Sequence, residues 1–463
     1  MVTPGLLIAG TRSGCGKSTL MAGLIRAFAK QNLIVAPFKI GPDYLDPMLH
    51  SAASGRQSWN LDGWFLDDTT LMETWIHGSD KSDLALVEGA MGLFDGASPI
   101  TFHGSGADLA IRLSLPTILV IDASGTGGTV AATALGCTKL MPNLNVAGVI
   151  FNRVASERHY NLLQTAITTH TNIKPLGWIK QSKSWQLPER HLGILSPEEL
   201  PNLEADLDAL ASHHIIPTID LKSLASIAKS PSVINLPSKI LSKNLFRDLP
   251  VAIAKDSAFS FIYADTLDRL ERLGVRWVPF SPLTDELPNN VAGLYLPGGY
   301  PELYAKKLAY NGAFFANLRT ANSLGMPIFA ECGGYMLLAE SMTDSHGYTY
   351  PMADLVPGRS HMTKSLQSFG YKYITALQNT LLCPKGTVGR AHEFHHSIWE
   401  GASHSPAWHA QGTSGNELQQ GHAEGNLLAS YAHLHFGAMP TWAETWVAKM
   451  RVWFTSKDLI NIK

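Results

Sequence analysis

Residues 6–19 read LLIAGTRSGCGKST. Apolar residues run up to Gly10, glycines recur at Gly14 and Gly16, and Lys17-Ser18-Thr19 opens an apolar-periodic stretch ending at Lys30. Strand, glycine-rich loop and helix in that order suit a nucleoside triphosphate. Glycines let backbone N–H groups close around phosphates, and the helix N-terminus adds favourable potential. Lys17 reaches the terminal phosphates, the Ser18 hydroxyl can bind Mg²⁺, and Thr19 can support it. Working outward, β-like runs at 6–9, 34–39, 84–88, 117–121 and 146–151 are apolar almost throughout, as expected of strands covered on both faces. They alternate with helical stretches such as 18–30 and 128–140, which predicts an α/β domain built on a parallel sheet.

At 463 residues the chain exceeds one ordinary hydrophobic core. The expected division is 1–195 for the nucleotide-binding domain, 196–248 for a helical linker region, and 249–463 for a second α/β domain. The linker is rich in Ser, Pro and Leu. The second series has strand candidates at 250–254, 291–296, 327–330 and 427–434. Apolar residues make up 45% of the chain and charged ones 16%, which suits a globular enzyme. Thirty-six basic against 38 acidic side chains, with no run of like charge, argues against nucleic acid or anionic membrane as partners. No stretch approaches the roughly 20 apolar residues of a membrane span, and the N-terminus lacks signal-peptide features. Four dispersed cysteines form no CxxC pair, which excludes a cysteine zinc cluster and speaks against a disulfide framework. The expectation is a soluble, cytoplasmic protein.

Further groups join the loop at predicted strand ends, where open parallel sheets bind ligands. In LVEGAMGLFDG, Glu88 is placed at a strand's C-terminal edge and Asp95 in the loop beyond, where carboxylates can hold Mg²⁺ against phosphates. FKIGPDYLDP carries Lys39 with Asp43 and Asp46 and reads as an acceptor-binding loop. Asn152, at the end of another strand, could read an adenine edge or simply form a turn.

A second centre is suggested by residues 328–338, IFAECGGYMLL. Cys332 could be a buried hydrophobe, a metal ligand or a nucleophile. It lies between a buried strand and Gly333-Gly334, with a helix expected from 335 to 340. Such an elbow presents a side chain to the unpaired N–H groups of the new helix, which lower a thiol's pKa and can hold an oxyanion. LPGGYPE, ending another strand, offers Gly299 as the source of a second donor beside Gly333. A nucleophile needs a base, and His433 in LLASYAHLHFG is the best candidate although about a hundred residues away. Elbow, glycine pair and late histidine together favour the nucleophile.

These stretches carry a resemblance. AECGGYM, LPGGYPE and SYAHLHF resemble the class I glutamine amidotransferase domain in its cobyrinate and cobyric acid synthase branch. GTRSGCGKST, with Thr11 where the commonest loop has glycine, is similar to the loop of dethiobiotin-synthetase-like ATPases. Together with FKIGPDYLDP, SWNLDGW, LVEGAMGLFDG, FNRV, ERHLGIL and AHEFHHS, it resembles the cobyrinate a,c-diamide synthase family over nearly the whole chain. The fold this implies is a P-loop, dethiobiotin-synthetase-like parallel-sheet domain followed by a class I glutamine amidotransferase α/β domain. The implied activity is ATP- and Mg²⁺-dependent amidation of the c and then the a carboxylate of cobyrinate, with nitrogen from L-glutamine.

By that resemblance Cys332 forms a γ-glutamyl thioester and His433 serves as base. Gly299 and Gly333 hold the oxyanion, while Gly14, Gly16, Lys17, Ser18, Thr19 and Asn152 hold ATP. Ser18 and Glu88 bind Mg²⁺; Asp43, Tyr44, Leu45 and Asp95 bind the acceptor or its phosphorylated form. Ammonia passes sheltered between the domains. Many class I glutaminases carry Glu two residues after the histidine, where this chain has His435, so a Cys-His dyad is implied, with His435 or Glu393 left to orient His433. Hydrogenobyrinate and Ni-sirohydrochlorin remain alternative acceptors, and a homodimer is left open. The reading from a different class is a regulatory P-loop ATPase with an inactive glutaminase-like domain, which the presence of both Cys332 and His433 disfavours.

Overall fold

In the computed structural model, which describes residues 2–182, 189–190, 193–194, 197–232, 248–401, 404–413 and 415–460, the opening strand β1 (Gly5–Gly10) is buried along its whole length. It is followed by α1 (Lys17–Lys30), β2 (Val35–Ile40), α2 (Leu45–Ser54), β3 (Trp59–Leu61), α3 (Asp68–Gly78) and β4 (Leu84–Gly92). Then come α4 (Gly106–Arg112), β5 (Thr117–Asp122), α5 (Thr129–Lys139), β6 (Val146–Val154), α6 (Glu157–His170) and β7 (Lys174–Lys180). The seven strands pair parallel in the order β3-β2-β4-β1-β5-β6-β7. Strand order reverses beside β1, so the loop between β1 and α1 opens into the crevice where such sheets take ligands.

The chain divides into two units, Met1–Ile240 and Leu241–Lys463. After a short pair β8 (Glu189–Arg190) and β9 (Gly193–Ile194), the region expected to link the domains forms α7 (Leu203–Ala209), a π-helical turn (Leu210–Ile215) and α8 (Leu221–Ile227). Leu207, Leu210, Ile215 and Leu224 share one core with Leu20, Leu24 and Phe28 of α1, so this stretch belongs to the first unit. Each such side chain contributes about 1.5–3 kcal/mol of burial. The close approach depends on Gly23, where a Cβ would lie 2.8 Å from Ile215 Cγ1. Parts of ERHLGIL and the Pro/Ser/Leu-rich stretch at 233–247 lie outside the described residues.

The second unit begins with β10 (Leu249–Ala254), α9 (Ala264–Arg272), β11 (Val275–Phe280), β12 (Leu294–Leu296), α10 (Ala305–Tyr310), α11 (Gly312–Ser323), β13 (Ile328–Glu331) and α12 (Gly333–Leu337). A six-stranded sheet runs β11-β10-β12-β13, then Leu427–Ser430, with His422–Glu424 antiparallel at the edge. A five-stranded antiparallel sheet includes Ser368–Ala376, Val388–His395 and His433–Leu434.

Three expectations are corrected. The run 427–434 is not one strand: Leu427–Ser430 pairs with β13, and His433–Leu434 crosses to the other sheet. The helix after Cys332 starts at Gly333 and stops at Leu337, before Glu340. The strand expected over 291–296 is only Leu294–Leu296. Among the described residues no helix is long and apolar enough to cross a membrane.

Candidate active sites

In the first unit, Gly10 allows the loop to fold back, since a Cβ there would sit 2.4 Å from Cys15 Sγ. Cys15 is fully buried and serves as packing. Gly16 caps α1 in the left-handed region at φ 88°, and a Cβ would meet Asn152 Nδ2 at 2.1 Å. Only glycine satisfies both demands. Asn152 donates from Nδ2 to the Cys15 carbonyl at 2.8 Å and accepts the Arg153 N–H at Oδ1, also 2.8 Å. Its amide thus bonds backbone at both ends, which braces the loop and leaves one N–H and one lone pair of the amide for further bonds.

Lys17, 7% exposed, donates from Nζ to the Met91 carbonyl at 2.6 Å. Met91 holds a left-handed φ of 46°, a strain of about 1–2 kcal/mol for a non-glycine residue. Ser18 Oγ donates to Glu88 Oε1 at 2.7 Å. Glu88 is not at a strand edge, because β4 continues to Gly92, and it is fully buried. Its Oε1 also receives Lys39 Nζ at 3.0 Å, and its Oε2 lies 2.6 Å from His50 Nε2. Burial opposes the charge on Glu88, but Lys39 and His50 outweigh it and hold the pKa below the ordinary carboxylate range. Lys39 bonds Asp46 as well, and Asp46, buried and beside Glu88, is raised to about 7. In the sequence Lys39 stands in the loop read as acceptor-binding, and the only signal for His50 is its place four residues after Asp46.

The other acids occupy local structural positions. Asp43 Oδ1 accepts the N–H groups of Leu45 and Asp46 at 2.9 and 3.2 Å, which starts α2. Tyr44 is the N-cap of α2, partly exposed, and Leu45 is 8% exposed. Asp95 is exposed and closes a turn by accepting the Gly92 N–H at 2.8 Å. Arg12 and Arg153 both reach Asp122 Oδ2 at 2.6 Å, a cluster of strand-end residues that the sequence reading did not connect.

In the second unit, Cys332 joins β13 to α12 with φ 46° and ψ −102°, an elbow outside the ordinary regions. Its N–H donates to the Ser430 carbonyl at 2.8 Å, locking the elbow to the neighbouring strand. Gly298 lies against both reactive side chains: a Cβ there would be 2.5 Å from His433 Cε1 and 3.5 Å from Cys332 Cβ. Gly299 N would lie 3.0 Å from a Cβ on Gly333, so the two segments expected to hold the oxyanion abut.

The thiol departs from expectation. Burial, followed by the nearby carboxylate of Glu302, pushes its pKa up, and the Gly333 N–H only partly offsets them. His433 is lowered to about 3 by burial and by His392 and His395. Burial thus shifts both groups toward their neutral forms.

The two residues expected to orient His433 have other partners as well. Glu393 accepts from Ser368 Oγ at 2.6 Å and from Gln420 Nε2, and His435 Nδ1 lies 3.7 Å from Asp265 Oδ2 and accepts the Gly437 N–H. The backbone places His433. It pairs opposite His392, and Glu331, directly before Cys332, accepts the Leu434 N–H at Oε1 (2.7 Å) and Tyr295 OH at Oε2 (2.6 Å). Glu331 thereby connects the strand bearing Cys332 to the one bearing His433. Burial raises it to about 7 despite those bonds. The sequence signal for it was only its adjacency to Cys332.

Residues 6–194 match the model of the CobQ/CobB/MinD/ParA nucleotide binding domain, and residues 250–441 that of the CobB/CobQ-like glutamine amidotransferase domain. The chain is 40% identical to the cobyrinate a,c-diamide synthase of Salmonella typhimurium, over 96% of this chain and 98% of that protein. It is 39% identical to the one of Dehalococcoides mccartyi strain CBDB1, over 99% of each. The identity to that of Listeria innocua is 38%, over 94% of this chain and 97% of that one.

Proposed function

The chain belongs to the cobyrinate a,c-diamide synthase family, whose members are glutamine-dependent amide-forming ligases, and from that premise we propose that it amidates the a and c carboxylates of cobyrinate, using ATP and L-glutamine. The observation that carries the reading is the pairing, in one chain, of the Lys17–Ser18–Glu88 constellation with the Cys332 elbow facing His433 across Gly298.

In the second unit, Cys332 Sγ attacks the glutamine side-chain carbonyl as its proton passes to His433. Backbone N–H groups of the Gly299 and Gly333 segments receive the oxyanion. The proton then leaves with ammonia, and water hydrolyses the thioester to glutamate. In the first unit, the loop from Gly14 to Thr19, braced by Asn152, orients ATP so that the acceptor carboxylate attacks the γ-phosphate, releasing ADP and an acyl phosphate. Ammonia attacks the acyl phosphate, forming amide and phosphate. Lys17 exchanges the Met91 carbonyl for phosphate oxygens. Asp43, Tyr44, Leu45 and Asp95 lie on the loops assigned to the acceptor. A hydroxyl and a carboxylate are hard oxygen donors suited to Mg²⁺, so Ser18 and Glu88 would hold it, supplying neutralisation of phosphate charge.

Mass spectrometry of reactions on cobyrinate, hydrogenobyrinate and Ni-sirohydrochlorin, run in parallel, tests the assignment. Two amides gained on cobyrinate are expected. Conversion of another acceptor alone would move the assignment to that acceptor, and no gain on any would remove the tetrapyrrole.

Gly298→Ala places a methyl group inside the space of the His433 ring. Glutamate release is expected to fall about 100-fold, with ammonia-supported amidation near wild type. Unchanged glutamate release would remove His433 from the glutaminase.

A further inference from the structure

Four buried groups close a ring in the first unit. Along β2 and β4, Lys39 and Glu88 are register partners. Along α2, Asp46 and His50 are four residues apart and so share one face. Asp46 bonds Lys39, Lys39 bonds Glu88, and Glu88 bonds His50, which returns the ring to the same helix. His50 and Glu88 are both 0% exposed, and Nδ1 of His50 makes no hydrogen bond among the described residues. A buried imidazole with one nitrogen unsatisfied is costly, and its 2.6 Å contact to Glu88 is the return on that cost.

We propose that His50 is a positioning residue for the divalent cation bound with the nucleotide, acting through Glu88. A carboxylate beside a lysine is drawn to present both oxygens to it. His50 holds Oε2 on the α2 side, so the plane of the carboxylate is set and Oε1 faces Ser18 Oγ at 2.7 Å. Without that bond the carboxylate turns onto Lys39 and leaves the hydroxyl. The proposal rests on the assignment of Ser18 and Glu88 to the cation made above. It adds a residue that touches neither cation nor nucleotide.

Glutamine and asparagine at position 50 distinguish this role from packing, since Gln extends its amide to about the reach of imidazole Nε2 and Asn falls short. The probe is Mn²⁺, titrated by electron paramagnetic resonance into full-length protein with a non-hydrolysable ATP analogue. His50→Asn is expected to weaken Mn²⁺ binding about tenfold or more, and His50→Gln to recover most of it. Binding of the analogue in EDTA and the glutamate release of the second unit should stay near wild type for both. Mn²⁺ affinity unchanged in His50→Asn, or lost equally in both variants together with thermal stability, would overturn the proposal. Amidation by the wild type is measured separately. Its failure would remove the functional reading while leaving the Mn²⁺ comparison a test of His50.

Discussion

Cys332→Ala is expected to lower glutamine-supported amidation by about 10³-fold or more and to leave ammonia-supported amidation within about twofold of wild type. Alanine tolerates the elbow no worse than cysteine, since both carry a Cβ at the same left-handed φ. Only one buried sulfur is removed from a well-packed cluster, so the unit should stay folded. The chemistry disappears because the other described thiols stand elsewhere: Cys15 is packed within the Gly10–Thr19 loop, Cys383 is buried near Thr380, and Cys137 lies on α5. Product is quantified by mass spectrometry with glutamine or ammonium as nitrogen source. Equal loss with both sources would mark Cys332 as structural and remove the two-centre reading. Because burial raises the thiol's pKa, alkylation of wild-type Cys332 at pH 7 should also be slow without glutamine.

Lys17→Ala is expected to have the complementary effect, a loss of about 10²–10³-fold with either nitrogen source. At rest the ammonium only contacts the Met91 carbonyl, a bond worth about 1.5–3 kcal/mol, so the fold should persist. On the proposed reading it faces phosphate charge in the transition state, where its removal is felt far more strongly. Glutamate release without acceptor should remain within about twofold of wild type. Amidation at the wild-type rate would mean that the loop holds no reacting phosphate. Loss of glutamate release as well would show that nucleotide occupancy controls the glutaminase.

The two candidate centres were legible where they are built from contiguous residues. The loop at Gly10–Thr19 and the elbow at Cys332 are encoded by neighbours, because apolar strand, glycine turn and helix start are properties of backbone φ and side-chain periodicity over about ten residues. The fold class followed from the same periodicity, repeated along both halves of the chain. The environment of each reactive group was not legible. Glu88 looked like a strand-edge acid, yet β4 runs on to Gly92 and buries it between Lys39 and His50. The sequence did not show that the Asn152 amide braces Cys15 and Arg153. The run 427–434 looked like one strand, yet its halves pair with different sheets, β13 on one side and the His392 strand on the other.

Thus the sequence by itself determined which residues could be nucleophile, base and phosphate ligand, since those depend on residue type and local backbone. Tertiary structure alone decided that Glu331 joins the Cys332 and His433 strands, that His50 meets Glu88, and that burial raises the thiol's pKa. Pairing over tens to a hundred residues and desolvation by the surrounding core arise only when distant segments pack, so no local pattern records them.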